Sequence, residues 1–351
     1  MPFWSLDVFE SFLLPLTNSI ADRVNKLHIT YLQGKPWRDL KRRFCFHKLD
    51  MPYKSIKSKV VRFYLSRRKT YSQIKNIDVD VIFTPSEVWA QELSRYWSKK
   101  MNIPYVVWLR GNPREVRKAI KTNLIKEKVL NYLETRSLKE ASLVIPCSRA
   151  LAKRAEEWGV EKRKITPPVW NGVDTHTFKP MTVERSKEFT IAYAGRISPE
   201  KGINRLLRLA EKLTDIHILI AGKTQMSISF PSCVEYVGTL PFSEMPRFYN
   251  KADLIVLPSF TEGFPNMVLE AYACGKPVLV AREAFPPELK VFGSVADVDD
   301  FELEIEALRK SDLKTMGHQA RSYVEKHYTW EKFGQSILGY LKTMPTSNIQ
   351  K

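Results

Sequence analysis

The feature that most constrains this chain is a repeated alternation: short apolar runs, five to seven residues long, separated by stretches long enough for an amphipathic helix. Runs of that kind are buried on both faces, so the pattern implies parallel βαβ units with helices covering both sides of a sheet. In the first half the runs are Leu27 to Leu32, Val79 to Pro85, Tyr105 to Arg110, Leu143 to Ser148 and Ile165 to Trp170. In the second half they are Phe189 to Ala194, Ile216 to Gly222, Val234 to Gly238, Leu254 to Pro258, Pro277 to Ala281 and, more weakly, Ser294 to Val298. The pattern is interrupted between Asn171 and Lys187, where Gly172, Pro180 and a polar stretch read as a linker. The expected organisation is therefore two doubly wound α/β domains, 1–175 and 176–351. At 351 residues and 44% apolar content the chain can bury two cores, which excludes a small peptide or a disordered tail.

Charge is distributed unevenly between the halves. Residues 1–180 carry 35 Lys and Arg against 17 Asp and Glu, whereas residues 181–351 are balanced at 21 each, so the whole net charge of +18 sits in the first half. A surface of that sign suits nucleic acid, a membrane face or a phosphorylated substrate; the plainest alternative is a solvated basic surface. The excess is densest from Lys35 to Lys75, with 14 basic residues against Asp39 and Asp50. Trp37, Phe44, Phe46, Tyr53, Phe63, Tyr64 and Tyr71 are interleaved there. Aromatics amid cations can stack bases, anchor a helix among lipid headgroups, or pack inward while the basic side meets water.

Cys45, Cys147, Cys233 and Cys274 are widely spaced with no C-x-x-C pair, which fits free thiols in a reducing compartment and argues against a metal site. The apolar stretch from Val8 to Ile20 is broken by Glu10, Pro15, Thr17 and Asn18, so it reads as neither a signal peptide nor a membrane span. The expected location is cytoplasmic, with room for a peripheral position on the inner membrane face.

Two strand-to-helix passages carry chemistry. Ile216 to Ala221 runs into Gly222-Lys223-Thr224 and mimics a phosphate-binding P-loop, but His217 stands where that motif needs its first glycine, so the cradle is excluded. The first informative passage is Phe189 to Ala194 followed by Gly195-Arg196-Ile197-Ser198-Pro199-Glu200-Lys201-Gly202. Ser198 reads as a helix N-cap with Pro199 at the first helical position. Arg196 and Lys201 then flank a helix N-terminus at the carboxyl end of a strand, a setting for a diphosphate. The second passage is Leu254 to Pro258, a loop from Ser259 to Pro265, and a helix from Asn266, read as its cap, to a stop at Gly275 and Pro277. Glu262 and Glu270 can face one crevice there, and a carboxylate so placed accepts hydrogen bonds from vicinal hydroxyls.

Three motifs together resemble glycosyltransferase family 4, the retaining enzymes of the GT-B fold. They are Gly195-Arg196 with Glu200-Lys201-Gly202, the Glu262-Gly-Phe-Pro-Asn-Met-Val-Leu-Glu270-Ala271 run, and Asn171-Gly172-Val173-Asp174 with Phe178 and Pro180. The resemblance is close over residues 140–340 and holds only in outline before that. It implies two Rossmann-like domains facing across a cleft, the C-terminal one binding a nucleotide-sugar and the N-terminal one the acceptor, with a last helix from Trp330 to Leu341 crossing back.

By the same resemblance, Arg196 and Lys201 hold the diphosphate and Glu270 the ribose. Glu262 and the loop backbone at Gly263, Phe264, Pro265 and Asn266 meet the donor sugar, and Gly195, Met267 and Val268 complete the nucleotide-sugar site. Fixed cations and a helix N-terminus stabilise a departing nucleoside diphosphate without a metal, so neither metal nor cofactor is expected, the nucleotide-sugar being a substrate. Attack of the acceptor on the face that the leaving group vacates requires no protein nucleophile.

Two departures from the family pattern stand out. Where relatives carry His-Gly after a strand of the N-terminal domain, this chain has Arg110-Gly111-Asn112. Arg110 therefore joins Arg196, Lys201 and Glu262 as a candidate catalytic residue, able to neutralise a phosphate but not to act as a base. The chain also opens with Met1-Pro2-Phe3-Trp4 and a helix-like stretch from Leu6 to Lys26 in place of a first strand and glycine-rich loop. The expected partners are a nucleotide-sugar, a glycan or lipid-linked acceptor, and an anionic membrane surface at residues 35–75. The alternative is a nucleic-acid- or anion-binding protein on an inactivated scaffold.

Overall fold

The computed structural model describes residues 27–31, 44–48, 59–119, 122–213, 215–224 and 226–344. The chain divides into two compact units. The first comprises residues up to Arg110, Leu124–Val169 and Phe333 onward; the second comprises Gly111–Asn123 and Trp170–Lys332. The boundary thus falls at 169/170, not at 175/176. Two short pieces change sides: Gly111–Asn123 groups with the second unit, and the last helix from Phe333 onward groups with the first. The expected helix from Leu6 to Lys26 lies outside the described residues.

In the first unit, β1 (Leu27–Tyr31) and β2 (Phe44–Lys48) form a parallel pair, and β3 (Ile82–Pro85), β4 (Tyr105–Leu109) and β5 (Leu143–Pro146) form a parallel sheet with β4 central. All five residues of β4 are buried, as a central strand covered on both faces requires. The apolar run from Ile165 to Trp170 is not a strand. It makes one bridge, Ile165 opposite Val144, because Pro167 and Pro168 have no N–H to continue a ladder. Helices α1 (Lys59–Ile74), α2 (Val88–Met101), α4 (Leu124–Glu140) and α5 (Arg149–Glu157) surround this sheet, while α3 (Pro113–Ala119) belongs to the second unit.

Within the basic segment the described residues are β2 and 59–75, which include helix α1. Phe63 and Ile74 are buried against Leu93 and Trp97 of α2, with Tyr64 and Tyr71 packed around them, while Arg68 and Lys69 are exposed. The aromatic side therefore packs inward, against a helix instead of the sheet, and Phe63 is not available for stacking bases.

Where α2 meets α4, the buried carboxylate of Glu92 accepts hydrogen bonds from Arg95 Nε at 3.1 Å, Ser137 Oγ at 2.5 Å and Arg136 Nη2. Removing one member of a buried, fully bonded charge cluster leaves the others uncompensated. Glu92→Ala is expected to lower the stability of this unit by about 3 kcal/mol, read as a drop in the urea midpoint.

The second unit holds a six-stranded parallel sheet in the order β11-β10-β9-β6-β7-β8. Its strands are β6 (Phe189–Ala194), β7 (Ile216–Ala221), β8 (Val234–Gly238), β9 (Leu254–Leu257), β10 (Val278–Ala281) and β11 (Gly293–Ala296). The chain builds outward from β6 to β8, then returns to the other side of β6 and builds outward again. The switch point lies between β6 and β9, and in such sheets the crevice at the carboxyl ends of the two switch strands is where ligands bind. The helices are α6 (Ile203–Lys212), α7 (Met245–Lys251), α8 (Asn266–Ala273), α9 (Phe301–Arg309) and α10 (Leu313–His327); α11 (Trp330–Lys342) starts in this unit and from Phe333 belongs to the first.

Candidate donor site

The loops leaving β6 and β9 carry nearly all the predicted site residues, and the fold brings them together at the switch point. After β6, residues Pro199–Lys201 form a single 3₁₀ turn and the α-helix begins only at Ile203. Ser198 has the extended backbone of a cap, yet its hydroxyl makes no cap hydrogen bond, contrary to the sequence expectation. The reason is Gly202, whose φ of 73° breaks the turn from the helix. A side chain at 202 would also meet the Pro258 carbonyl oxygen at 2.0 Å, so the β6 loop rests directly on the backbone where β9 ends.

Within that loop Arg196 is half-exposed, its Nη2 3.2 Å from Oε1 of buried Glu200, and the Tyr193 hydroxyl donates to its carbonyl at 2.8 Å. Lys201 Nζ donates to both oxygens of Glu262, at 2.7 and 2.8 Å. An ammonium has three N–H donors, so one remains for a ligand. Arg205 fixes the base of the second loop: its Nη1 donates to the Pro258 carbonyl at 3.1 Å, and its guanidinium lies 3.4 Å from the centre of the Phe260 ring. Helix α3 lies beside the Pro199–Lys201 turn.

The second loop ends at Pro265, which is the residue before α8; Asn266 is the first helical residue and does not cap it. Its Oδ1 instead accepts from Asn171 Nδ2 at 2.8 Å. Phe264, Pro265, Met267 and Val268 have buried side chains, so they can offer a ligand only backbone. Phe264 stacks on Tyr328, and Met267 Sδ accepts from the Ala194 N–H at 3.3 Å. Asn266 and Glu270, four residues apart, share another face of α8. The Asn171 to Asp174 signature is structural. Asp174 accepts from His176 N, Thr177 N and Thr177 Oγ1, and His176 is exposed.

Glu270 has a partner that sequence reasoning missed. The Tyr249 hydroxyl, on α7, donates to its Oε2 at 2.7 Å, and no spacing in the sequence signals this pair. Burial pushes the Glu270 carboxyl up from 4.5 to about 7, with the Tyr249 hydrogen bond opposing the shift. A raised carboxyl favours the protonated folded state, so its stability contribution is present below pH 4.5 and is lost as pH rises through about 7. Glu270→Gln is expected to remove that slope and to make the ligand-free protein more stable above pH 7 by roughly 2 kcal/mol, measured by thermal melts across the range.

Arg110 directly follows β4 and belongs to the first unit. Its guanidinium lies 4.7 Å from the centre of the Trp108 ring, its N–H donates to Ser86 Oγ at 3.0 Å, and burial draws it down to about 10, still a cation at neutral pH. Gly222-Lys223-Thr224 serves to hold the first loop, the Lys223 carbonyl accepting from Ile197 N at 3.0 Å.

Two α/β units with parallel sheets, the second doubly wound and carrying cations, a carboxylate pair and a helix start at its switch point, match the GT-B class of fold. The structure of sucrose-phosphate synthase from Thermosynechococcus elongatus superposes with a TM-score of 0.79 at 17% identity, covering 94% of this chain and 92% of that one. The family profile "Glycosyltransferase Family 4" matches residues 27–177 and "Glycosyl transferases group 1" matches residues 174–295. The chain belongs to glycosyltransferase family 4.

Among curated relatives, D-inositol 3-phosphate glycosyltransferase from Mycobacterium sp. (strain JLS) is 33% identical over 132 residues, 31% of this chain and 30% of that protein. A GDP-mannose-dependent monoacylated alpha-(1-6)-phosphatidylinositol monomannoside mannosyltransferase from Corynebacterium glutamicum is 29% identical over 213 residues, 50% of this chain and 55% of that one. The aligned stretches thus span from under a third to just over half the length of these relatives.

Proposed function

We propose that this protein transfers a sugar from a nucleotide diphosphate sugar to a glycan or lipid-linked acceptor, with retention of anomeric configuration, at the cytoplasmic face of a membrane. The observation that carries the proposal is the cluster at the β6/β9 switch point: Lys201 bonded to Glu262, Arg196 on the same loop as Lys201 and paired with Glu200, and the half-buried Glu270 on the passage that carries Glu262. In this reading Glu270 accepts hydrogen bonds from the ribose hydroxyls. The third N–H of Lys201 and the exposed guanidinium of Arg196 hold the diphosphate.

As the bond from the anomeric carbon to the β-phosphate oxygen lengthens, negative charge grows on that oxygen, and these two fixed cations stabilise it more than they stabilise the bound donor. Glu262 orients the sugar while its charge is balanced by Lys201. The acceptor hydroxyl attacks from the side that the leaving group vacates and passes its proton to the departing phosphate, so no side chain is asked to be a nucleophile or a base. Neither a metal nor a cofactor is needed in this scheme. Arg110, held as a buried cation, is assigned to neutralise an acceptor phosphate. The names of the two relatives, one acting on an inositol phosphate and one on a phosphatidylinositol mannoside, support an anionic acceptor, as does the basic first half.

The test is a thermal-shift panel of UDP, GDP, ADP, dTDP and CMP with their sugar conjugates. A ligand at about 100 times its dissociation constant adds about 2.7 kcal/mol to the native state. One nucleotide is expected to raise the melting temperature, and its sugar conjugate is then offered with phosphatidylinositol-type acceptors in a transfer assay. Absence of any shift across the panel overturns the donor site.

A further inference from the structure

Helix α4 is built the wrong way round for a helix that only packs against its own domain. Its inward side carries Leu133 and Leu138, but also the buried Glu134 and Ser137. Its outward side carries Leu124 at 74% exposure, Ile125 at 75%, Val129 at 38% and Tyr132 at 62%. At about 100° per residue these four positions and Lys128 fall within a single arc of about 140°. Scattered exposed apolar side chains are ordinary, but a contiguous set on one helix face marks an interaction surface.

The surface continues onto α1. Arg136 Nη2 donates to the Tyr64 hydroxyl at 3.2 Å, and the same guanidinium lies 5.3 Å from the centre of the Tyr132 ring, so the two helices adjoin at that point. Next to Tyr64, α1 exposes Val61 and Leu65 in line with Arg68. Lys126, Lys128, Arg68 and Lys69 are all exposed around these apolar groups, α1 contains no acid, and Glu127, half-buried, is the one acid in the first half of α4.

We infer that the joined outer faces of α4 and α1 dock on an anionic lipid surface, with Leu124, Ile125, Val129 and Tyr132 entering the headgroup layer and the lysines and arginines meeting lipid phosphates. Charge decides the occupant. A second copy of the chain would set the same basic face against itself, at a net charge of +18 per copy. Apolar side chains ringed by cations are what an interfacial helix presents to an anionic bilayer. Among the described residues no helix is long and apolar enough to cross a membrane, so attachment here is in the plane of the interface. The inference rests on the reading that the acceptor is lipid-linked, and moves its anchor from the whole of residues 35–75 to α4 and the outer face of α1.

The experiment is flotation with vesicles of phosphatidylcholine, with and without phosphatidylglycerol. The variants are Leu124→Ser/Ile125→Ser/Tyr132→Ser and, separately, Lys126→Glu/Lys128→Glu. The unmodified protein is expected to float with phosphatidylglycerol vesicles and not with phosphatidylcholine alone. Each variant is expected to partition at least about tenfold less, with far-UV circular dichroism unchanged because the altered side chains lie outside the core.

Flotation of both variants at the unmodified level overturns the inference, as does equal binding to the two vesicle types. Light scattering that shows a dimer dissolved by the triple substitution also overturns it, in favour of a second copy. Nucleotide thermal shifts run on the same samples report the donor site separately. Loss of vesicle binding with the shift intact confines the fault to the serine or glutamate positions, and a protein that binds vesicles but no nucleotide sinks the donor reading alone.

Discussion

Lys201→Ala is expected to lower kcat for sugar transfer by about a thousandfold, the scale set by removing one fixed group that meets charge developed in the transition state. The loss has two parts. The substitution removes the cation proposed to face the departing phosphate, and it strips Glu262 of the two hydrogen bonds from Lys201. A half-buried, uncompensated carboxylate then repels the diphosphate. The two parts separate in a double variant: Lys201→Ala/Glu262→Gln removes the repulsion and is expected to bind donor more tightly than Lys201→Ala while kcat stays low. Stopped-turnover assays with titrated donor read this as KM recovering without kcat. If kcat in Lys201→Ala stays within a few-fold of the unmodified enzyme, Lys201 does not meet the leaving group.

Glu270→Ala is expected to weaken nucleotide binding by about a hundredfold, as two hydrogen bonds to a carboxylate, each on the order of 1.5 kcal/mol, are lost. The sharper measurement compares a nucleotide with its 2′-deoxy analogue by calorimetry. The unmodified protein is expected to prefer the ribose form about tenfold, because the deoxy analogue leaves a buried acceptor unfilled, and Glu270→Ala is expected to treat the two alike. Binding should also strengthen as pH rises through about 7, since the ionised carboxylate is the better acceptor and burial places its titration there. A ribose preference that survives in the variant assigns the sugar edge to another residue.

Much of this site is legible in the sequence because it is local. Glu262, Glu270, the intervening loop and the strand before it lie within one short passage, and a strand, a turn and a helix have compositional signatures that a reader can place in order, although the cap itself is not where composition places it. The same holds for Gly195 to Gly202. What could not be read is what depends on a distant piece of chain. Tyr249 reaches Glu270 from another helix, and Asn266 turns from a cap into the partner of Asn171, which lies 95 positions earlier. Met267 and Val268 appear beside the donor in the linear motif, but the helical period rotates them into the core. The run from Ile165 to Trp170 has strand composition, and two prolines deny it a ladder. The basic segment was the hardest to read, since composition records charge and aromatic content but not which side of α1 each residue occupies.

The contact of Gly202 with the Pro258 carbonyl, and the hold of Arg205 on that same oxygen, bear on how donor preference can change over generations. The loop between Pro258 and Asn266 is clamped by backbone at its start and by a helix at its end, with Ser259, Phe264 and Pro265 buried and Thr261 to Gly263 partly exposed between them. On the proposed donor reading, a substitution at the half-buried Thr261 changes what the loop presents to a sugar while the anchoring atoms stay in place, whereas Phe264, buried against Tyr328, belongs to the anchor. On that reading, a lineage can shift sugar preference through Thr261 to Gly263 without disturbing the buried residues that hold the loop.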